Sequence, residues 1–177
     1  MFMFVIKQPS KILFGNLSAS KYVFPENCLL ITSKGAKQRG WIDYLGLKNY
    51  SIFDQVENNP SIETTEKILS TFSNTKISTI VGLGGGSSLD VAKFCAAKMN
   101  ISKIIIPTTF GSGSEVTRIA VLKINGKKKS FHHDKFFADT AIIDSKFIFN
   151  TPNDVFNNSV IDALAQCSEG FDSNIGN

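Results

Sequence analysis

Three consecutive glycines join an apolar run to a run of helical spacing in Val81-Gly82-Leu83-Gly84-Gly85-Gly86-Ser87-Ser88-Leu89-Asp90. Glycine has no Cβ, so the backbone can approach a phosphate closely, and the free N–H groups and positive dipole end of the following helix attract the anion. The segment predicts a cradle for a diphosphate, although its residues also suit a tight strand-to-helix turn with no ligand. It departs from the common dinucleotide fingerprint: Ser87 stands where that pattern wants Gly or Ala, and no acidic residue follows about 20 positions on. No Gly-Lys-Ser/Thr follows at P-loop distance.

A second segment combines glycines with hydroxyls, Pro107-Thr108-Thr109-Phe110-Gly111-Ser112-Gly113-Ser114-Glu115-Val116-Thr117. Hydroxyls on a turn at the carboxyl end of a strand can hydrogen-bond a ribose or a carboxamide, and open α/β sheets bind ligands at that edge. His132 and His133 are adjacent in an extended stretch; such neighbours point to opposite faces and do not share one ion. Cys28, Cys95 and Cys167 are odd in number, widely spaced and without a Cys-x-x-Cys pair, which disfavours a disulfide framework and a structural zinc site and fits a reducing compartment.

The elements that must position these residues alternate. Apolar runs at Cys28 to Thr32, Tyr50 to Phe53, Ile77 to Leu83 and Ile104 to Pro107 lack polar alternation, as expected of parallel strands buried on both faces. Helical spacing lies between them, at Ala36 to Leu45, Ser61 to Phe72 and Ser88 to Met99. The alternation predicts an α/β fold with a doubly wound, mostly parallel sheet. Met1 to Ile6 reads as a first strand. Asn125-Gly126, between Ile119 to Ile124 and the basic segment from Lys127, predicts a hairpin with a type I′ turn. A short strand at Ala141 to Ile143 and a helix capped by Asp154 follow. The expected organisation is an α/β domain over residues 1–152 and the first helix of a helical domain over 153–177.

The chain has 177 residues, 42% of them hydrophobic, and a formal charge of +4 spread along its length. One packed domain is affordable at this size, and no basic cluster marks nucleic acid as a partner. No run nears the roughly 20 apolar residues that span a bilayer; a membrane partner is not expected, and a cytoplasmic protein is.

Gly-Gly-Gly-Ser-x-x-Asp-x-Ala-Lys followed by Pro-Thr-Thr-x-Gly-Ser-Gly-Ser-Glu-Val-Thr resembles the amino-terminal half of the iron-containing (group III) alcohol dehydrogenases. The resemblance implies an NAD(P)H-dependent oxidoreductase acting on a small aldehyde or alcohol with a divalent metal, Fe or Zn; a homodimer is compatible with it. It implies that Gly84, Gly85, Gly86 and Ser87 hold the cofactor diphosphate, that Thr108, Thr109 and Ser112 approach the nicotinamide riboside, and that Asp90 lies near the nicotinamide with a catalytic part. Lys129 matches a family lysine near the ribose. In Ile31-Thr32-Ser33-Lys34-Gly35, relatives often carry an Asp that repels a 2′-phosphate. Ser33 removes that repulsion and Lys34 attracts the phosphate, so NADPH is expected to bind at least as well as NADH.

Ile161-Asp162-Ala163-Leu164-Ala165-Gln166 matches the family's Asp-Ala-Leu-x-His, in which residues at i and i+4 share a helical face and one ion. Asp162 keeps its place, while Gln166 replaces imidazole with a weaker amide ligand. That change, with Gly126-Lys127-Lys128-Lys129-Ser130-Phe131-His132 upstream, is similar to the branch that includes phosphonoacetaldehyde reductases. With one strong metal ligand, the chain is expected to catalyse poorly in isolation. The alternatives are a non-catalytic nucleotide-binding remnant and a lyase like dehydroquinate synthase, which shares the architecture; the Pro-Thr-Thr loop and the Asp-Ala-Leu segment favour the dehydrogenases.

Overall fold

The computed structural model describes residues 5–149 and 151–173. Six strands form one parallel sheet: β1 (Lys11–Phe14), β2 (Cys28–Ile31), β3 (Tyr50–Phe53), β4 (Thr79–Gly84), β5 (Ser102–Pro107) and β8 (Thr140–Ile143), in the order β1-β8-β5-β4-β2-β3. The antiparallel pair β6 (Ile119–Ile124) and β7 (Lys127–His132) stands apart from it.

Every residue of β2 and β4 is buried, because both faces of the sheet are covered, as parallel sheets require. On one face, α3 (Ile62–Thr71) and α4 (Gly86–Met99) pack Ile68, Leu89, Val91, Ala92 and Cys95 against Leu29, Ile31, Ile80 and Ile105. On the other, α1 (Gly35–Gln38), α2 (Trp41–Leu45) and α5 (Lys146–Phe149) pack Ala36, Trp41, Ile42, Leu45 and Phe147 against Leu30, Val81, Leu83 and Ile106. From β2 the chain steps outward to β3, returns past β2 to β4, and then runs the other way to β5. Strand order therefore reverses between β2 and β4, with the following helices on opposite faces. A crevice at the carboxyl ends of these two strands is the ligand position of open α/β sheets.

The α/β alternation matches expectation, with three local differences. The expected strand at Met1 to Ile6 lies partly outside the described residues; its described part, Val5 and Ile6, is exposed and irregular. Among the described residues the first strand is instead Lys11–Phe14, an edge strand paired with β8 whose short Ile12-Leu13-Phe14 run is largely exposed. The helix expected over Ala36 to Leu45 is two short helices, because Gly40 takes a left-handed conformation (φ +67°) between them. Asp154 lies in the first turn of α6 (Asn153–Asp172) rather than at its cap, which is Pro152. The hairpin turn is as expected, with Asn125 and Gly126 both at positive φ.

Among the described residues no helix is long and apolar enough to cross a membrane.

Candidate functional site

β4 ends at Gly84 and α4 begins at Gly86, so the glycine run is the strand-to-helix turn at the sheet's crevice. Gly84 has φ +143°, and a Cβ on it would stand 2.9 Å from the Ser88 hydroxyl oxygen. Gly85 is the N-cap of α4 and offers no side-chain acceptor to the first turn, which leaves that positive helix end for an outside anion. Gly82, further back in β4, brings helix and sheet together: a Cβ there would lie 2.6 Å from that of Ala92.

The hydroxyl-rich turn lies alongside. β5 pairs with β4 through Gly84 and Pro107, and the Thr108 amide donates to the Gly84 carbonyl at 2.9 Å. A Cβ on Gly85 would come 3.2 Å from Thr109 Oγ1, and one on Gly86 would come 3.2 Å from Ser112 Cβ. Side chains at these two glycines would fill the space between the turns. The uncapped helix end and the glycine-lined gap fit a diphosphate, and Thr109 and Ser112 stand at its rim. Ser87 accepts a hydrogen bond from the Asn59 amide (3.2 Å), tying the loop after β3 to the same place.

Ser33 and Lys34 follow β2 on the other bank of the crevice, with Lys34 exposed. Arg39 joins them unannounced: its guanidinium folds over Gly35, occupying the space a Cβ there would need, and stacks 5.0 Å from the Trp41 ring. The only sequence signal was a basic residue four positions after a glycine. The lysine of β7 that faces the crevice is Lys128, which lines a cleft of ≈ 240 Å³ with Asn59, Gly86, Ser87, Asp90 and Lys123. Lys129 is absent from that lining and instead lies over the Phe131 ring, 5.6 Å from its centroid. Strand alternation explains the difference, since neighbours on a strand face opposite ways.

Asp90 has a different first task from the catalytic one expected of it. Its Oδ1 accepts from Ser114 Oγ (2.7 Å), and its Oδ2 from the Val121 amide (2.9 Å). One turn later on α4, fully buried Lys93 pairs with Asp90 at 3.2 Å. Lys93 Nζ also donates to the carbonyls of Ser114, at 2.8 Å, and Ile119. Burial pushes the Lys93 ammonium below the usual lysine range, against the pull of Asp90 and Glu115. Burial likewise raises the Glu115 carboxyl, which Lys93 and a backbone hydrogen bond partly offset. Glu115 Oε2 is buried without a hydrogen-bond partner.

α6 crosses the end of the hydroxyl turn. Phe110 meets Phe156 edge to face at 5.9 Å, and Asp162 packs so closely on Gly111 that a Cβ there would lie 2.5 Å from Asp162 Oδ2. Asp162 and Gln166 share a helical face as their spacing predicts, joined by Gln166 Nε2 donating to Asp162 Oδ1 at 3.2 Å. Among the described residues no group of three or more His, Cys, Asp or Glu side chains converges on one point. Asp162 and Gln166 by themselves do not make a complete divalent-ion site.

A profile of the family described as iron-containing alcohol dehydrogenase matches residues 9–145. The chain belongs to that family. Long-chain-alcohol dehydrogenase 1 of Geobacillus thermodenitrificans is 33% identical over 173 residues, covering 82% of this chain and 44% of that protein. Among solved structures, a 1,3-propanediol oxidoreductase superposes with a TM-score of 0.91 at 25% identity, covering 99% of this chain and 55% of the other. The sulfoacetaldehyde reductase of Bifidobacterium kashiwanohense, solved in complex with NAD⁺, superposes at 0.88 with 25% identity over 97% of this chain and 54% of that one. The chain spans about half the length of the family members it matches.

Proposed function

We propose that the chain is the nucleotide-binding part of a dehydrogenase that uses NAD(P)H and a divalent metal to interconvert a small aldehyde and its alcohol. The observation that carries this reading is that the glycine turn after β4, which borders the strand-order reversal, lies against the hydroxyl turn after β5, with Thr109 and Ser112 facing the open sides of Gly85 and Gly86. In this reading the diphosphate rests on the amides from Gly84 to Ser87 and the helix end behind them. Thr108, Thr109 and Ser112 orient the nicotinamide riboside. When bound, the nicotinamide would exchange a hydride with the substrate carbon and the metal would act as a Lewis acid on its oxygen. This chain's part is orientation, with Asp162 and Gln166 as its contribution to the metal. Residues 1–152 form the nucleotide-binding domain, and α6 opens a helical one; the exposure of Ile161 and Leu164 on α6 accords with that boundary. Three free cysteines suit a cytoplasmic setting.

Two finer points follow. Ser33, Lys34 and Arg39 put a hydroxyl and two cations beside the adenosine ribose, favouring NADPH at least as much as NADH. A small anionic aldehyde is the substrate class we favour, in keeping with the solved sulfoacetaldehyde reductase and with Lys128 beside Ser87.

Titration of the chain with both cofactors tests the reading. NADPH should bind at least as tightly as NADH. Ser33→Asp, which restores a repelling carboxylate, should weaken NADPH about tenfold or more while leaving NADH nearly unchanged. A strong native preference for NADH would refute the 2′-phosphate assignment. Turnover of short aldehydes with added Fe²⁺ or Zn²⁺ should be slow, and a normal enzyme rate would refute the incomplete metal site.

A further inference from the structure

We propose that Lys93 is a positioning residue: through Asp90 and Ser114 it fixes the hydroxyl turn against the glycine turn and so sets affinity for the nicotinamide half of the cofactor. The proposal rests on the dinucleotide reading above. No side chain of α4 is more deeply buried than Lys93, at 0% exposure, and a buried ammonium is costly unless every proton finds an acceptor. Here the three acceptors are Asp90 Oδ1, the Ser114 carbonyl and the Ile119 carbonyl. They belong to the helix that starts at the diphosphate cradle, to the hydroxyl turn, and to the first residue of β6. Asp90 repeats the linkage with its own two oxygens, one on Ser114 Oγ and the other on the Val121 amide. Ser114 is therefore gripped at its hydroxyl and its carbonyl by two charges one helical turn apart. Two residues earlier, Ser112 meets Gly86, and the Ser114 amide donates to Ser112 Oγ at 3.4 Å. The grip thus passes directly to the hydroxyl beside the cradle. A lysine that served packing alone would not converge with Asp90 on one residue of the binding turn.

The test compares NADH with ADP, which has the diphosphate but lacks the nicotinamide riboside. In Ser114→Ala, which keeps the ion pair and the core, NADH affinity should fall about tenfold and ADP affinity about twofold or less. Lys93→Met should give the same pattern with a larger NADH loss. Because it strands Asp90 without its counter-ion, the near-ultraviolet signal of Trp41 is read to establish whether it folds; Ser114→Ala carries the test alone if it does not. If native chain binds both ligands and the folded variants keep the native ratio of NADH to ADP affinity, Lys93 is structural and the proposal fails. If native chain binds neither ligand, the dinucleotide reading fails and the proposal falls with it.

Discussion

Thr109 Oγ1 stands 3.2 Å from where a Cβ of Gly85 would be, so a side chain at Gly85 would crowd the hydroxyl turn after β5 and intrude on the gap it shares with the glycine turn after β4. Neither turn alone distinguishes a ligand site from a strand end. Together they set a helix N-terminus and two hydroxyls around one gap, and that arrangement is what supports the proposed cofactor site.

The closeness of α4 to the sheet depends on Gly82. A Cβ there would lie 2.6 Å from Ala92 Cβ and 3.1 Å from Ile105 Cδ1, with ordinary backbone angles, so the strain is one of volume. Gly82→Ala should cost about 1–3 kcal/mol, seen as a lower urea midpoint at unchanged slope. An unchanged midpoint would mean that helix and sheet are less tightly coupled than the geometry says.

Stability should depend on pH through Glu115. Burial raises its folded carboxyl above the ordinary value of 4.5, with Lys93 pulling the other way. The folded state then holds a proton that the unfolded chain releases. The stabilisation is complete below 4.5 and is lost as pH rises through the raised value. Glu115→Gln cannot titrate, so native stability relative to this variant should decline as pH climbs above 4.5. Urea midpoints of both proteins at several pH values between 4 and 7 decide the point, and parallel profiles would contradict it.

The three thiols should separate cleanly. Burial pushes Cys28 up to about 11 and Cys95 up to about 12, while Cys167 is exposed on α6. A chromogenic disulfide reagent at mildly alkaline pH should titrate one thiol quickly in the native chain and all three after denaturation. Two rapid native thiols would show that the core opens readily around Cys28 or Cys95.

The sheet and both binding turns were legible in the sequence because doubly buried strands are long apolar runs, and glycine clusters mark where backbone must come close. What escaped notice was held by tertiary contact. β1 offers only the short run Ile12-Leu13-Phe14, largely exposed, and is held by pairing with β8. Arg39 folds back over Gly35, just after β2, and onto the Trp41 ring. That Lys128 lines the cleft beside Ser87 while Lys129 lies over Phe131 follows from strand alternation, which three consecutive lysines conceal. Asp90 was picked out by its place in the motif, but its bonds to Ser114 and Val121 span 24 and 31 residues, beyond what local pattern can show.

The most direct measurement is a fluorescence titration of NADPH with the native chain and with Gly85→Val in parallel. Gly85 has ordinary backbone angles, and the nearest atom to an added Cβ is the Thr109 hydroxyl at 3.2 Å, a side-chain tip that can yield, so valine should intrude on the gap between the turns and leave the sheet intact. Native chain should saturate at one cofactor per chain, and the variant should bind more than about tenfold more weakly with its fold retained. Equal binding by both proteins, or no saturable binding by the native one, would contradict the assignment of that gap to the cofactor.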